Sequence, residues 1–209
     1  MERQPGLRER KKEQTRHRLT QVAAALFADR GFDRVSIAEI ARTAEVSEAT
    51  VFNYFPTKED LVYAGMETYE SHLLEAVRTR DTDTSVVGAF REFVLQPPHR
   101  LSAADAQLLA EIATLARVIA DSAALRSREQ EVFDRSVEAL AQLVAEEGGA
   151  GEDDLEPWVV ANALMGVHRG MTRAVHRGAR AGRTGAQIAD EVLDQGRRAL
   201  DVLQRGLDR

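Results

Sequence analysis

An all-α fold is predicted for this chain of 209 residues on three observations. Ala, Arg, Leu and Glu are its commonest residues, with Gln beside them, and all of these favour helices. Aromatic residues make up only 5%, and the strict apolar–polar alternation of a half-buried strand is hard to find. Residues 36–58, SIAEIARTAEVSEATVFNYFPTK, read as two short helices around a tight turn. The length is too great for that motif alone and fits a small N-terminal domain followed by a second helical one. The expected division is 1–57 and 58–209, with about nine helices in total.

Taken in order, a first helix is expected over about 13–29, where Leu19, Val22, Ala23 and Leu26 form an apolar stripe and Gly31 supplies the left-handed stop. Ile37, Ile40 and Ala41 give the second helix one apolar face. Ser36 is its N-cap, and Glu39 completes the capping-box pattern. Glu45 and Val46 make the turn. Ser47 caps a third helix running to about Phe55, with Val51 and Phe55 on one face and Thr50, Asn53 and Tyr54 on others. Pro56 cannot continue a helix interior. A fourth helix starts near Thr57, its cap, with Glu59 and Asp60 favoured at the positive end; Leu61, Val62, Met66, Tyr69 and Leu73 carry it onward.

The polar run TRDTDT at 79–84 reads as a turn, and a fifth helix over 85–95 stops at Pro97 and Pro98. Two more helices are expected over roughly 102–119 and 122–147, before the break GGAG at 148–151. The last two cover about 156–178, with Pro157 suited to the first turn, and about 184–206. Trp158, Ala161, Met165, His168 and Met171 stripe the former; Ile188, Val192, Leu193, Leu200, Leu203 and Leu207 stripe the latter. Gly166 and Gly170, four apart, would let a partner helix come close.

Two helices, a short turn and a polar second helix match the arrangement that enters a DNA major groove, although a plain helical hairpin in a bundle shares the pattern. The net charge of −6 is unevenly spread. Residues 1–58 hold 11 Lys+Arg against 8 Asp+Glu, a net of +3, whereas 59–209 hold 17 against 26, a net of −9. Arg8, Arg10, Lys11, Lys12, Arg16 and Arg18 form a basic arm suited to phosphates. The absence of cysteine excludes disulfides, thiol catalysis and Cys-based metal sites. No apolar segment follows the basic start as in a signal peptide, and no run approaches the ~18–20 apolar residues of a membrane span. A cytoplasmic protein is expected.

Residues 14–62 resemble the N-terminal domain of TetR-family transcriptional regulators. The shared points are Leu26-Phe27 with Gly31-Phe32, Ser36 with Ile40-Ala41, and Val46-Ser47 through Phe55, Lys58, Glu59 and Leu61, all at fixed spacing. The resemblance implies a homodimeric DNA-binding regulator, a repressor released from a palindromic operator by a small molecule, with the last two helices pairing between copies. A helical interaction module without DNA binding and a ligand-independent DNA binder are the contrasting readings.

The same resemblance implies site residues. Thr50 and Phe52 fall where base edges are read, with Asn53 beside them, and Phe52 suits a thymine methyl. Many relatives carry tyrosine at Phe52's position, so a hydroxyl contact is missing from this chain. Tyr54 and Lys58 match phosphate-contacting positions; Arg16 joins the DNA-binding set through the charge of the basic arm. Ser36 and Thr43 can donate to phosphate, and Glu48 and Ala49 open the recognition helix. An effector pocket is implied between the fourth and eighth helices, drawing on Phe93, Trp158, Asn162 and Met165, with Met66, Phe90, Leu115 and His168 as further lining; plain core packing is the alternative for each. Asn162 stands out because a polar group on an apolar face needs a partner when buried.

No catalytic or metal motif accompanies these features, so no enzyme, cofactor or metal is expected. His168 and His176 are two helical turns apart, too far to share an ion without other ligands.

Overall fold

The computed structural model describes residues 6–96, 99–151 and 153–207, with backbone alone at 7–9, 64–67, 99–100 and 207. Pro97 and Pro98 lie outside the described residues, as do the side chains of Arg8, Met66 and Leu207. The described residues form ten helices and no strand: α1 (Leu7–Arg30), α2 (Ile37–Thr43), α3 (Glu48–Tyr54), α4 (Asp60–Arg78), α5 (Val86–Val94), α6 (His99–Ser102), α7 (Ala106–Asp121), α8 (Ala123–Gly148), α9 (Glu156–Arg180) and α10 (Gly185–Leu207). The all-α expectation holds. The element unforeseen in the sequence is α6, whose four residues are too few to show a period. α1 also begins at Leu7 rather than near 13. Its first turns, LRERKKEQ, consist of good helix formers without an apolar stripe, so propensity extends the helix where periodicity is silent.

The chain divides into two compact units, Met1–Met66 with Leu115–Glu129, and Glu67–Thr114 with Gln130–Arg209. In the first, Leu19, Ala23 and Phe27 of α1 pack with Phe32, Val35, Ile40, Ala41, Val51, Phe55 and Tyr63, and with Val118, Ile119 and Leu125 from the α7–α8 corner. Gly31 ends α1 with its N–H on the Phe27 carbonyl at 2.8 Å. Its φ of 79° and ψ of 155° are not the left-handed helical values expected, but a region still more restricted to glycine. Glu45, at φ 53°, takes the left-handed position in the α2–α3 turn.

The caps follow the sequence closely. Ser36 Oγ accepts from the Glu39 N–H at 3.2 Å, and Ser47 Oγ from the Thr50 N–H at 3.1 Å. The Glu39 carboxylate, expected to reach back and complete a capping box, instead pairs with Arg30 of α1. A reciprocal box does form at α4. The Thr57 N–H donates to Asp60 Oδ2 at 2.9 Å and the Asp60 N–H to Thr57 Oγ1 at 3.3 Å. Three side-chain bonds hold the α7–α8 corner in this unit: Tyr63 Oη to the Leu125 carbonyl at 2.8 Å, Ser122 Oγ to Asp33 Oδ1 at 2.9 Å, and Arg128 Nη2 to Asp60 Oδ1 at 2.8 Å.

In the second unit, Leu73, Val77, Val86, Phe90, Val137, Leu140, Val160, Ala161, Leu164, Met165 and Leu200 form the main core. A smaller cluster joins Ala174, Ala179, Ile188 and Val192. The stripes read from α9 and α10 therefore face inward along much of their length, with Trp158 a clear exception at 55% exposure. The two helices meet closely at Gly178, where a Cβ would lie 2.6 Å from Ile188 Cγ1. Around Gly166 and Gly170 nothing lies within 4 Å of such an atom, so these two glycines are not contact points within this chain.

Candidate nucleic-acid interface

α3 has one face in the core and one open to solvent. Val51 is fully buried and Phe55 follows it inward at the C-cap, while Glu48, Ala49, Phe52 and Asn53 are exposed on the opposite side. Phe52 retains 47% of its accessible surface, unusual for a phenylalanine in a short helix with a well-packed inner face. The outward face offers a carboxylate, a small apolar residue, a ring and an amide within two turns. That set can accept from cytosine N4, pack on a thymine methyl and bond an adenine edge.

Thr50 is half-buried, and its Oγ1 lies 2.8 Å from Ser47 Oγ, so its hydroxyl is shared with the N-cap. Ser36 is exposed and uses its oxygen as an acceptor for the Glu39 N–H, which leaves the hydroxyl proton free to donate. Thr43 is exposed at the end of α2. Beside it Arg42 holds a side chain 77% exposed, its guanidinium 4.0 Å from Glu39 Oε1. Sequence reading passed over Arg42; its place in the last turn of α2, away from the apolar face, was the available signal.

Two expected phosphate contacts have internal partners. Lys58 Nζ donates to the carbonyls of Phe32 and Val35, each at 2.8 Å, and sits 4.1 Å from the centre of the Phe32 ring. Burial lowers its pKa from the ordinary lysine value, with Asp33 and Glu59 acting in the opposite sense. Arg16 Nη1 donates to the Tyr54 carbonyl at 3.3 Å, with its guanidinium 4.7 Å over the Phe55 ring. Tyr54 is half-buried and packs against the core of the unit.

The four residues expected to line a pocket have different surroundings. Met165 is enclosed in the core of the second unit, and Phe93 packs against that core. Asn162 is half-buried and donates from Nδ2 to the Trp158 carbonyl at 2.9 Å, which supplies the partner its position called for. Trp158 is exposed. Phe93 meets Tyr69 edge-on at 5.3 Å between ring centres, and Tyr69 stacks on His168 at 5.2 Å and 10°. Burial pushes the His168 imidazole down to about 4, so it is neutral near pH 7, and the covered part of Tyr69, a residue 40% exposed as a whole, raises its phenol. Among the described residues no group of three or more His, Asp or Glu is placed to hold a metal ion.

A capped two-helix unit with an outward-facing second helix is that of a helix-turn-helix DNA-binding protein. The family model for bacterial regulatory proteins of the tetR family matches residues 19–64, and that of the MftR C-terminal domain matches 84–208. The chain belongs to the TetR family of bacterial transcriptional regulators. It is 27% identical over 158 residues to MftR of Mycobacterium tuberculosis, named for transcriptional regulation of mycofactocin biosynthesis, covering 76% of this chain and 78% of that one. It is also 27% identical over 175 residues to the regulator TcmR of Streptomyces glaucescens, covering 81% and 76%. The same fold occurs in NalD, the secondary repressor of the MexAB-OprM multidrug efflux pump in Pseudomonas aeruginosa, at TM-score 0.54 and 20% identity over 90% of this chain and 96% of that one. MftR and TcmR are both transcriptional regulators, and no helix among the described residues is long and apolar enough to cross a membrane.

Proposed function

We propose that this regulator is a cytoplasmic homodimeric repressor whose two α3 helices read successive major grooves of a roughly palindromic operator. The observation that carries this reading is the exposed face of α3, with Phe52 open to solvent while Val51 and Phe55 are buried behind it. In this reading residues 1–57 bind DNA, and 58–209 sense a small molecule and dimerise. Glu48, Ala49, Thr50, Phe52 and Asn53 meet base edges; Ser36, Thr43, Tyr54 and the exposed Arg42 meet the backbone.

Dimerisation is assigned to α9 and α10. Leu155, Trp158 and Val159 at the start of α9 and Val202 of α10 are all more than half exposed, and the open glycines Gly166 and Gly170 lie on α9. Such apolar exposure on neighbouring helices favours an interface, and a second copy of this chain is its natural occupant. Trp158 fits that role better than pocket lining. The effector region is assigned instead to the neutral aromatic group of Tyr69, Phe93 and His168, with Met165 in the core against which Phe93 packs. A ligand that changes the course of α4 would alter operator affinity, with a coupling of about 1–3 kcal/mol.

Selection of duplexes from a random-sequence pool, at near-physiological salt with competitor DNA, tests the reading. Two half-sites related by a dyad, bound by a dimer, are expected. Binding to any duplex that collapses smoothly with salt would make the protein a sequence-independent binder. No retained DNA, even at low salt, would leave an interaction module.

A further inference from the structure

In the DNA-binding reading Lys58 and Arg16 are cations at the C-terminal end of the recognition helix and just after it, and both are turned toward carbonyls of their own chain. The ammonium of Lys58 has three donors, and two are occupied at 2.8 Å by Phe32 and Val35 in the α1–α2 link. The Phe32 ring takes a further share of its charge. Both carbonyls lie outside the regular helices; that of Phe32 also accepts from the Val35 N–H at 3.3 Å, while that of Val35 takes its bond from Lys58, in the segment just after α3.

α3 itself is a seven-residue helix with no basic residue in its last turn. Its last carbonyls have no intrahelical donor, and a cation there complements the helix dipole. Arg16 of α1 supplies one from outside, on the Tyr54 carbonyl and over the Phe55 ring. The flanking anchors are therefore α1, through Arg16, and the α1–α2 link, through Lys58. Each bond crosses from the recognition segment to the scaffold behind it.

We infer that Lys58 and Arg16 are positioning residues, which hold the C-terminal end of α3 and the segment after it against α1 and the α1–α2 link, rather than neutralising operator phosphates. The inference rests on the DNA-binding reading above. Their removal loosens the angle at which Phe52 and Asn53 are presented, so specific binding suffers while the count of phosphate contacts stays the same.

The test measures affinity of wild type, Lys58→Met and Lys58→Arg for the selected duplex and for a scrambled one, across a range of salt, at a temperature where circular dichroism shows each variant folded. Losing one phosphate contact flattens the slope of log K against log salt by about 0.9. For Lys58→Met the slope is expected to match wild type, while affinity for the selected duplex falls about tenfold or more and affinity for the scrambled duplex hardly changes. Lys58→Arg, which keeps donors for the two carbonyls, recovers part of the discrimination. A slope reduced by about one with discrimination intact would make Lys58 a phosphate contact and overturn the inference, as would unchanged affinity. Loss of stability with full discrimination in the folded fraction would also overturn it. If Lys58→Met does not fold, Arg16→Met is read by the same criteria. Failure of wild type to retain any duplex is a failure of the DNA-binding reading itself, seen before any variant is made.

Discussion

Replacing Phe52 by alanine tests the recognition face directly. A phenylalanine exposes roughly 150–250 Å² when unfolded, and Phe52 keeps 47% of its surface in the folded chain. Roughly 90 Å² of ring is therefore available to a partner. At about 25 cal/mol per Å², covering it stabilises a complex by up to about 2 kcal/mol, or roughly 30-fold in affinity. The rest of the side chain, roughly 110 Å², is covered in the fold and by the same measure is worth at most about 2–3 kcal/mol. Phe52→Ala is therefore expected to lose some thermal stability, and affinities are compared at a temperature where both proteins are folded. Fluorescence anisotropy with the selected duplex, and with duplexes altered one base pair at a time, provides the assay. Affinity should drop by about an order of magnitude or more, and the penalty for replacing one particular thymine should shrink in the variant. Equal affinity of variant and wild type would refute the placement of Phe52 on the reading face. A loss of the same size on every duplex would refute its role in discrimination.

Gly31→Ala should destabilise the first unit by about 1–3 kcal/mol through backbone strain alone, partly offset by about 0.4–1 kcal/mol from a less flexible unfolded chain. The nearest atom to the added Cβ is Arg34 Nη2 at 3.9 Å, so a denaturant midpoint equal to wild type would remove the strain argument. Gly178→Ala should lower the melting temperature, because its Cβ would meet the Cγ1 of Ile188, a β-branched and buried side chain, at 2.6 Å. Overpacking of this kind costs about 1–3 kcal/mol, and a rise in melting temperature would show that α9 and α10 separate freely. His168, held down from 6.5 to about 4 by burial, binds its proton more readily in the unfolded chain. Stability should therefore fall as pH drops below about 6.5 and level off below about 4, by at most about 3 kcal/mol. Urea unfolding of His168→Phe should lack that component; an identical pH dependence in both proteins would place it elsewhere.

Much of the first unit was legible because its signals are local. Ser36, Ser47 and Thr57 cap the helices they precede, and the bonds concerned span three residues. Inward and outward faces of α2 and α3 follow from 3.6-residue periodicity, and Gly31 marks a stop whatever its precise ψ. Where two local solutions compete, the prediction failed: Glu39 could bond its own helix cap, but Arg30 of α1 offered an opposite charge. α6 is too short for periodicity, and the start of α1 has no stripe to read.

The amino-acid sequence by itself determined the all-α class, the order of the long helices, the helix-turn-helix and its outward-facing residues, because each depends on spacings of a few positions. Tertiary structure alone decided what the long side chains do. Lys58 reaches carbonyls 23 and 26 residues away, and Arg16 bonds a carbonyl 38 residues away. The α7–α8 corner joins the first unit through bonds spanning 62 to 89 residues. A flexible cation can serve a phosphate or a backbone oxygen equally well by its chemistry. Only the folded arrangement of chain around it says which oxygen is within hydrogen-bonding reach, and burial then makes leaving that oxygen unpaired costly.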